Sequence, residues 1–334
     1  MNTKVFKIAI VGCGSISANH LNGIKDNSMV EVVALCDIKS ERAQHRATEY
    51  NLNARIYTDY DAMLEAEKLD AVHICTPHYL HAPMTISALK KDINVFLEKP
   101  ACINSEEINE MLEAEKNSKG MICVCFQNRL NPSTILAKKL IEEDGGARCA
   151  YGAIFWFRGA SYYTDSGWRG KMETEGGGVM INQAIHTIDL MCQILGVPRS
   201  VCATVSNHHL KGVIDVEDSA EGIIYYDEGK QANFYFTTAY PGKDTTIISV
   251  TTKNHKIDIK APNIYVDNVK IEDPSLVNDF YGKECYGNGH MYLTRDFYNA
   301  IAEGKESPIP LSSAQYALRV LLAAYKSNDT VTEV

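Results

Sequence analysis

Lys99 is the residue of this chain whose type and place most directly suggest chemistry. It follows Glu98 and precedes Pro100 at the end of an apolar run that begins at Asn94. Far upstream, Gly12-Cys13-Gly14-Ser15-Ile16-Ser17 joins a first apolar run to a first helical pattern. A glycine turn at a helix N-terminus cradles phosphates, and ligands of open α/β sheets lie outside the carboxyl ends of the strands. A cation at the carboxyl end of a later strand then stands where chemistry on a bound dinucleotide takes place. Together the two features imply a nicotinamide-dependent oxidoreductase rather than a generic nucleotide binder.

The glycine turn departs from the full dinucleotide fingerprint at its third position, where Ser17 replaces Gly or Ala. Gly12 permits the tight turn, Gly14 lets a pyrophosphate approach the backbone, and the third position needs only a small residue. Asp37 ends the second predicted strand, where an acidic residue accepts both ribose hydroxyls and repels a 2′-phosphate. Ile38 stands where an Arg would indicate NADP, and Lys39 keeps the phosphorylated cofactor in play, so NAD is favoured over NADP. Asp37 as a helix N-cap is the plainer alternative. After the third strand, Thr76 and Pro77 form a ledge for the nicotinamide side of the cofactor. His78 and His81 read as helix-capping or ribose-contacting residues. Their spacing mimics a metal pair, but no third ligand is near in sequence, and no metal is expected.

From Val179 to Leu195 the pattern predicts a helix. On it Asn182, His186, Asp189 and Gln193 share one narrow polar stripe, with Met180, Ile181, Ile185, Ile188, Met191 and Ile194 around the rest. A solvated face is wider and richer in Lys and Glu, so this stripe reads as the wall of a cleft. The alternative is a buried histidine satisfied by Asn182 or Asp189. Removing hydride from a carbinol carbon must be matched by proton loss from its oxygen. Histidine, with an ordinary pKa near 6.5, suits that task, and Lys99 suits hydrogen bonding to the same oxygen. Either residue is able to carry the proton; His186 is the one chosen here. Tyr162, Tyr163, Trp168 and Arg169 precede Gly176-Gly177-Gly178 in what reads as a loop over a sugar face or the nicotinamide, or else an oligomer contact. His290, after Tyr286-Gly287-Asn288-Gly289, is a candidate for the substrate wall.

These residues need a scaffold, and the patterning supplies one. Strands are predicted at Lys7–Val11, Glu31–Cys36, Ala71–Cys75, Asn94–Leu97 and Met121–Phe126, with helices near 16–26, 40–51, 60–67, 79–91 and 105–118. That alternation predicts a parallel α/β Rossmann sheet covered on both faces. After Phe126 come a helix near 131–144 and a strand at Ala150–Arg158. Strands follow at Ser200–Asn207, Ser219–Tyr226, Gln231–Ala239, Thr246–Thr252 and His255–Ile259, then helices near 290–303 and 312–327. Short turns such as Asp227-Glu228-Gly229-Lys230 are hairpin connections. The expectation is a dinucleotide-binding domain at 1–126 and a substrate-binding and oligomerisation domain at 127–334, the second α+β with an open, mostly antiparallel sheet.

In this combination the sequence resembles the glucose–fructose oxidoreductase / inositol dehydrogenase (Gfo/Idh/MocA) family. The matching elements are Gly12-Cys13-Gly14-Ser15-Ile16, Asp37, Thr76-Pro77-His78-Tyr79-Leu80-His81, Glu98-Lys99-Pro100, Trp168-Arg169, and Gly176-Gly177-Gly178 leading to His186-Thr187-Ile188-Asp189. They run in order along essentially the whole chain. The resemblance implies action on sugars, cyclitols or their derivatives with NAD or NADP, and homo-oligomers (dimer or tetramer) formed through the outer face of the second sheet. It makes Lys99 the catalytic lysine and His186 the acid/base histidine. Glu98, Asn128, Trp168 and Arg169 fall where members contact the cofactor, and Lys99-Pro100 is expected to be a cis peptide. Inositol-dehydrogenase-like members often carry Asp four residues before the histidine. Asn182 orients a hydroxyl there but cannot stabilise an imidazolium as a carboxylate does, which argues against inositol dehydrogenase specifically.

Bulk properties exclude other classes. A length of 334 residues suits two domains, and a net charge of −9 argues against nucleic-acid or anionic-membrane partners. No apolar run is long enough to span a bilayer. The N-terminal apolar run passes into Gly12 without a cleavage pattern and reads as a strand. Ten cysteines without a Cys-x-x-Cys pair, several of them in apolar strands, suit a reducing cytoplasm. Two further functions remain to be separated from a dehydrogenase: glycoside cleavage by transient oxidation with a retained NAD, and a non-catalytic dinucleotide sensor.

Overall fold

A computed structural model of the chain describes residues 5–276 and 287–334. The described residues form two units. The first comprises those up to Gln127 together with Asn288–Ala314; the second comprises those of Asn128–Gly287 together with Gln315–Val334.

The first unit alternates strands and helices from its start: β1 (Phe6–Val11), α1 (Ser17–Ile24), β2 (Val30–Cys36), α2 (Ser40–Glu49), β3 (Arg55–Tyr57), α3 (Tyr60–Ala66), β4 (Ala71–Ile74), α4 (His81–Leu89), β5 (Asn94–Leu97), α5 (Ser105–Lys116) and β6 (Ile122–Val124). The strands form one parallel sheet in the order β3-β2-β1-β4-β5-β6, the doubly wound Rossmann arrangement. Ile8, Ala9, Ile10, Val72, Ile74, Val95 and Leu97 have no exposed surface, as befits a sheet covered on both faces. Its register places the site. Cys36, Val11, Ile74, Leu97 and Val124 are lateral partners on successive strands. Asp37, Gly12, Cys75 and Glu98 therefore stand side by side at the carboxyl edge. The short β3 was not anticipated: three residues, Arg-Ile-Tyr, are too few to show a period.

The second unit begins with α6 (Pro132–Glu143), β7 (Cys149–Phe155) and two short helices, α7 (Ala160–Thr164) and α8 (Met172–Glu175). A π turn (Met180–Ala184) leads into α9 (Ile185–Leu195), followed by β8 (Pro198–Ser206), β9 (Ser219–Tyr226), β10 (Gln231–Thr237), β11 (Thr245–Thr251), β12 (Lys256–Lys260), β13 (Asn263–Val266) and β14 (Val269–Lys270). With β15 (Thr332–Glu333) these strands form a nine-stranded sheet ordered β14-β13-β12-β11-β7-β10-β9-β8-β15. Every pairing is antiparallel except β7 with β10. Gly152 on β7 lets α9 lie close: a Cβ there would come within 2.8 Å of Thr187 and 2.9 Å of Met191.

Two expectations are corrected. The helix expected over 178–195 is interrupted, because the π turn advances the chain by five residues per hydrogen bond and shifts the stripe after Asn182. The chain also does not divide by a single cut near 126. Helix α10 (Gly289–Glu303) belongs with the Rossmann sheet, where Phe297 meets Phe96 edge-on and Tyr298 stacks on Phe6 and His73. Both rings are fully buried, which holds the returning segment to the first unit. The last helix, α11 (Leu311–Ser327), spans the boundary.

Candidate active site

At the carboxyl edge of the parallel sheet the glycine turn has the shape a dinucleotide needs. Gly12 has φ +85°, and a Cβ there would lie 2.6 Å from the Cys75 carbonyl oxygen, so only glycine fits. Gly14 is the opposite case, with nothing within 4 Å of an added Cβ, which leaves its backbone open to a pyrophosphate. Asp37 is buried and acts as no helix cap. Its Oδ2 accepts from the Cys13 N–H and its Oδ1 from the Lys39 N–H, each at 2.9 Å. Both carboxylate oxygens are thus tied to backbone N–H groups, one of them in the glycine turn. Ser17 has no exposed surface and donates to the Gly14 carbonyl at 2.6 Å, which explains a serine at this position. Burial, then Asp37, push the Cys13 thiol up to about 12, so it is a packing residue. Arg46 was missed by the sequence reading. From α2 it donates to the Gly14 carbonyl at 2.8 Å and to Ser17 Oγ at 3.1 Å, bracing the turn with a cation.

Lys99 follows β5, half-buried, with a cis peptide to Pro100 as expected. His81 braces this segment: its Nδ1 lies 2.6 Å from the Pro100 carbonyl oxygen and its Nε2 2.9 Å from that of Thr76. His78 is also buried, while Thr76 and Pro77 keep partial exposure. Glu98 points inward. Its Oε1 is 2.9 Å from His20 Nε2 and 3.6 Å from His290 Nε2, and its Oε2 accepts the Lys99 N–H at 3.2 Å. Burial works against its charge, but the bonds from His20 and His290 hold its carboxyl well below the usual range. His20 Nδ1 in turn meets His73 Nδ1 at 2.9 Å, and His73 Nε2 meets the Tyr298 hydroxyl at 2.6 Å. His290 therefore belongs to this buried chain rather than to a substrate wall; Tyr286 lies outside the described residues. His20, Glu98, Cys125 and His290 also bring four potential metal-ligand atoms within 4.8 Å of one another. Within this cluster His20 hydrogen-bonds to Glu98, His290 lies 3.6 Å from the same carboxylate, and burial holds the Cys125 thiol well above its usual range.

In the second unit, from Glu175 to Cys192, only Asn182 and His186 retain exposure; every other side chain is buried. Asp189, expected on the same stripe, is buried and paired with Arg129 instead, at 2.5 Å and 2.8 Å. Asn128 and Arg129 lie in a turn at Gln127–Leu130, where Asn128 accepts from Asn131 Nδ2 at 3.4 Å. Arg169 sits between two rings, 4.5 Å from the Tyr162 centroid and 4.7 Å from that of Trp168. Two buried carboxyls flank the triple glycine. Glu217 accepts from the N–H groups of Gly178 and Met180 and from the Tyr325 hydroxyl, each at 2.9 Å. Glu175 accepts from Gly170 and Asn182. Burial pushes both up to about 7. Neither was found from sequence, although a glutamate next to three glycines is a usable signal. Gly178 allows this approach, since a Cβ there would lie 1.8 Å from the Glu217 carbonyl oxygen. Gly178→Ala is expected to cost about 3 kcal/mol or more in urea unfolding. A loss below about 0.5 kcal/mol, the range of neutral surface substitutions, would contradict this packing.

Comparison with known proteins decides the class. Residues 6–126 match the model of an oxidoreductase family with an NAD-binding Rossmann fold, GFO_IDH_MocA, and residues 136–256 match the GFO/IDH/MocA C-terminal domain. The chain belongs to the GFO/IDH/MocA oxidoreductase family. It is 26% identical to the D-glucoside 3-dehydrogenase of Escherichia coli over 100% of this chain and 98% of that protein. It is 34% identical to the inositol 2-dehydrogenase of Salmonella typhimurium over 41% of each. Among solved structures, the WlbA dehydrogenase of Bordetella pertussis in complex with NADH and UDP-GlcNAcA superposes with a TM-score of 0.86 at 25% identity, covering 100% of this chain and 99% of that one. Levoglucosan dehydrogenase in complex with NADH shares the fold, with a TM-score of 0.89 at 20% identity and 99% of each chain covered. This GFO/IDH/MocA protein is accordingly an NAD-binding oxidoreductase, and its glycine turn and Asp37 fit that cofactor. Among the described residues no helix is long and apolar enough to cross a membrane.

Proposed function

We propose that the protein oxidises one secondary hydroxyl of a sugar, cyclitol or derivative to a ketone, with Lys99, His186 and Asn182 as its working side chains. The observation that carries the reading is the register that sets Asp37, Gly12, Cys75 and Glu98 on neighbouring strand ends, with Lys99 next. NAD, when bound, supplies the two-electron acceptor for the hydride leaving the carbinol carbon. Lys99 hydrogen-bonds the carbinol oxygen and stabilises its developing negative charge. The hydroxyl proton passes to the His186 imidazole as the carbon–oxygen double bond forms. Asn182 orients a substrate hydroxyl, and Trp168, Arg169 and Asn128 serve binding.

Gly12, Gly14, Ser15, Ile16, Asp37, Thr76 and Pro77 form the cofactor side. Glu98, His78 and His81 support it from within, as their burial favours. The D-glucoside and inositol dehydrogenase relatives place sugars and cyclitols first among substrates to try. The nine described cysteines are free, which suits a reducing cytoplasm.

The test is NADH absorbance with NAD and a panel of hexoses, glucosides, amino sugars and cyclitols. Substrate-dependent NADH is expected. Bound cofactor with an unchanging spectrum across the panel would contradict net dehydrogenation; aryl-glycoside cleavage would then indicate transient oxidation, and its absence a sensor. The chain is further expected to form a homodimer or homotetramer through the sheet face opposite α9, where Tyr151 and Tyr235 are 40% and 36% exposed. Light scattering of wild type and Tyr235→Asp checks this, and a monomeric wild type would refute it.

A further inference from the structure

Glu175 has no exposed surface and stands outside every sequence motif read above. Its Oε2 accepts the Gly170 N–H at 2.5 Å, and its Oε1 accepts from Asn182 Nδ2. A carboxylate only accepts, so this pair fixes the Asn182 amide with Nδ2 toward Glu175 and Oδ1 turned the other way. We infer that Glu175 is a positioning residue that sets the polarity of Asn182, so that a substrate hydroxyl meets the amide carbonyl oxygen rather than the NH2 group. The inference rests on Asn182 being a substrate-facing residue, as proposed above.

The surroundings support an orienting role. Gly170 follows Trp168 and Arg169, so one carboxylate ties that aromatic loop to the turn that carries Asn182. The groups facing Glu175 are Arg169 from the loop, Glu217 beyond the triple glycine, Tyr163 from α7 and Tyr325 from α11. Tyr162, 3.3 Å from Asn182 Nδ2, completes the set.

Glu175→Gln is a clean probe of polarity. The Gly170 N–H cannot turn, so the glutamine oxygen must face it and the glutamine NH2 must face Asn182. The Asn182 amide then rotates to offer its oxygen, and the Tyr162 hydroxyl adapts because it both donates and accepts. The hydrogen bonds survive while the polarity shown to substrate reverses. A protonated Glu175 has the same effect, because its O–H donates to Asn182.

With the substrate identified by NADH formation, Glu175→Gln is expected to raise KM about ten-fold with kcat changed less than about two-fold, the pattern of lost binding rather than lost chemistry. Wild-type KM is expected to climb toward the variant's value as pH falls through about 7, and the variant's KM to lack that rise. Glu175→Gln/Asn182→Asp is expected to recover the wild-type KM, because the introduced carboxylate accepts from the glutamine with one oxygen and offers the other to substrate. A Glu175→Gln KM equal to wild type across this pH range would overturn the inference while leaving the dehydrogenase reading intact. Should the single variant misfold, the double variant decides, and a KM that stays raised overturns the inference. No NADH from wild type with any substrate would remove the reading on which both rest.

Discussion

Lys99→Ala is expected to lower kcat by about three orders of magnitude while NAD still binds. The loss follows from what the side chain is asked to do. Removing one preorganised donor to a developing oxyanion costs about 10²–10³ in rate, and Lys99 also brings a full charge to that oxygen. Binding should persist because the glycine turn, Asp37 and Arg46 are built from other strands and helices. The fold should persist because Lys99 keeps partial exposure, while the buried chain from Glu98 through His20 to His73 and Tyr298 is built from other side chains. Steady-state kinetics and cofactor titration by protein fluorescence check both halves. A variant within ten-fold of wild type in kcat would take the lysine out of the chemistry.

His186→Ala is expected to lower kcat by about 10²–10⁴, the range for a positioned proton acceptor, with NAD affinity unchanged. Added imidazole should restore part of the rate, because the proton then has an acceptor from solution in the space the ring vacated. A structural histidine would not be rescued in this way. Asn182→Ala, by contrast, should act mainly on KM. A fall in kcat for His186→Ala that imidazole leaves untouched would move the proton assignment to Lys99.

Much of this scaffold was legible in the sequence, for a physical reason. The strands of the first unit are short, nearly all apolar and buried on both faces, so β1, β2, β4 and β5 could be read to within a residue or so. The hairpin turn at Asp227–Lys230 likewise marked β9 and β10. What escaped depends on distance along the chain. The His73–Tyr298 bond joins residues 225 apart, and the His20–Glu98 bond residues 78 apart. No local pattern announces either, so the return of α10 to the first unit and the inward turn of Glu98 were invisible. The polar stripe on the 178–195 segment was read with one helical period throughout. The π turn breaks that period, leaving Asn182 and His186 partly exposed while burying Asp189 against Arg129. Sequence spacing thus picked out the two residues of this stretch that keep partial exposure but misassigned their neighbour Asp189.

The central claim is direct hydride removal from a carbinol carbon, and isotope transfer tests it most directly. The best substrate of the panel, deuterated at the carbon that becomes the ketone, would be turned over with NAD and the cofactor recovered for mass spectrometry. One deuterium per NADH formed is the predicted result. Unlabelled NADH, or label returned to a cleaved glycoside without net NADH, would contradict it.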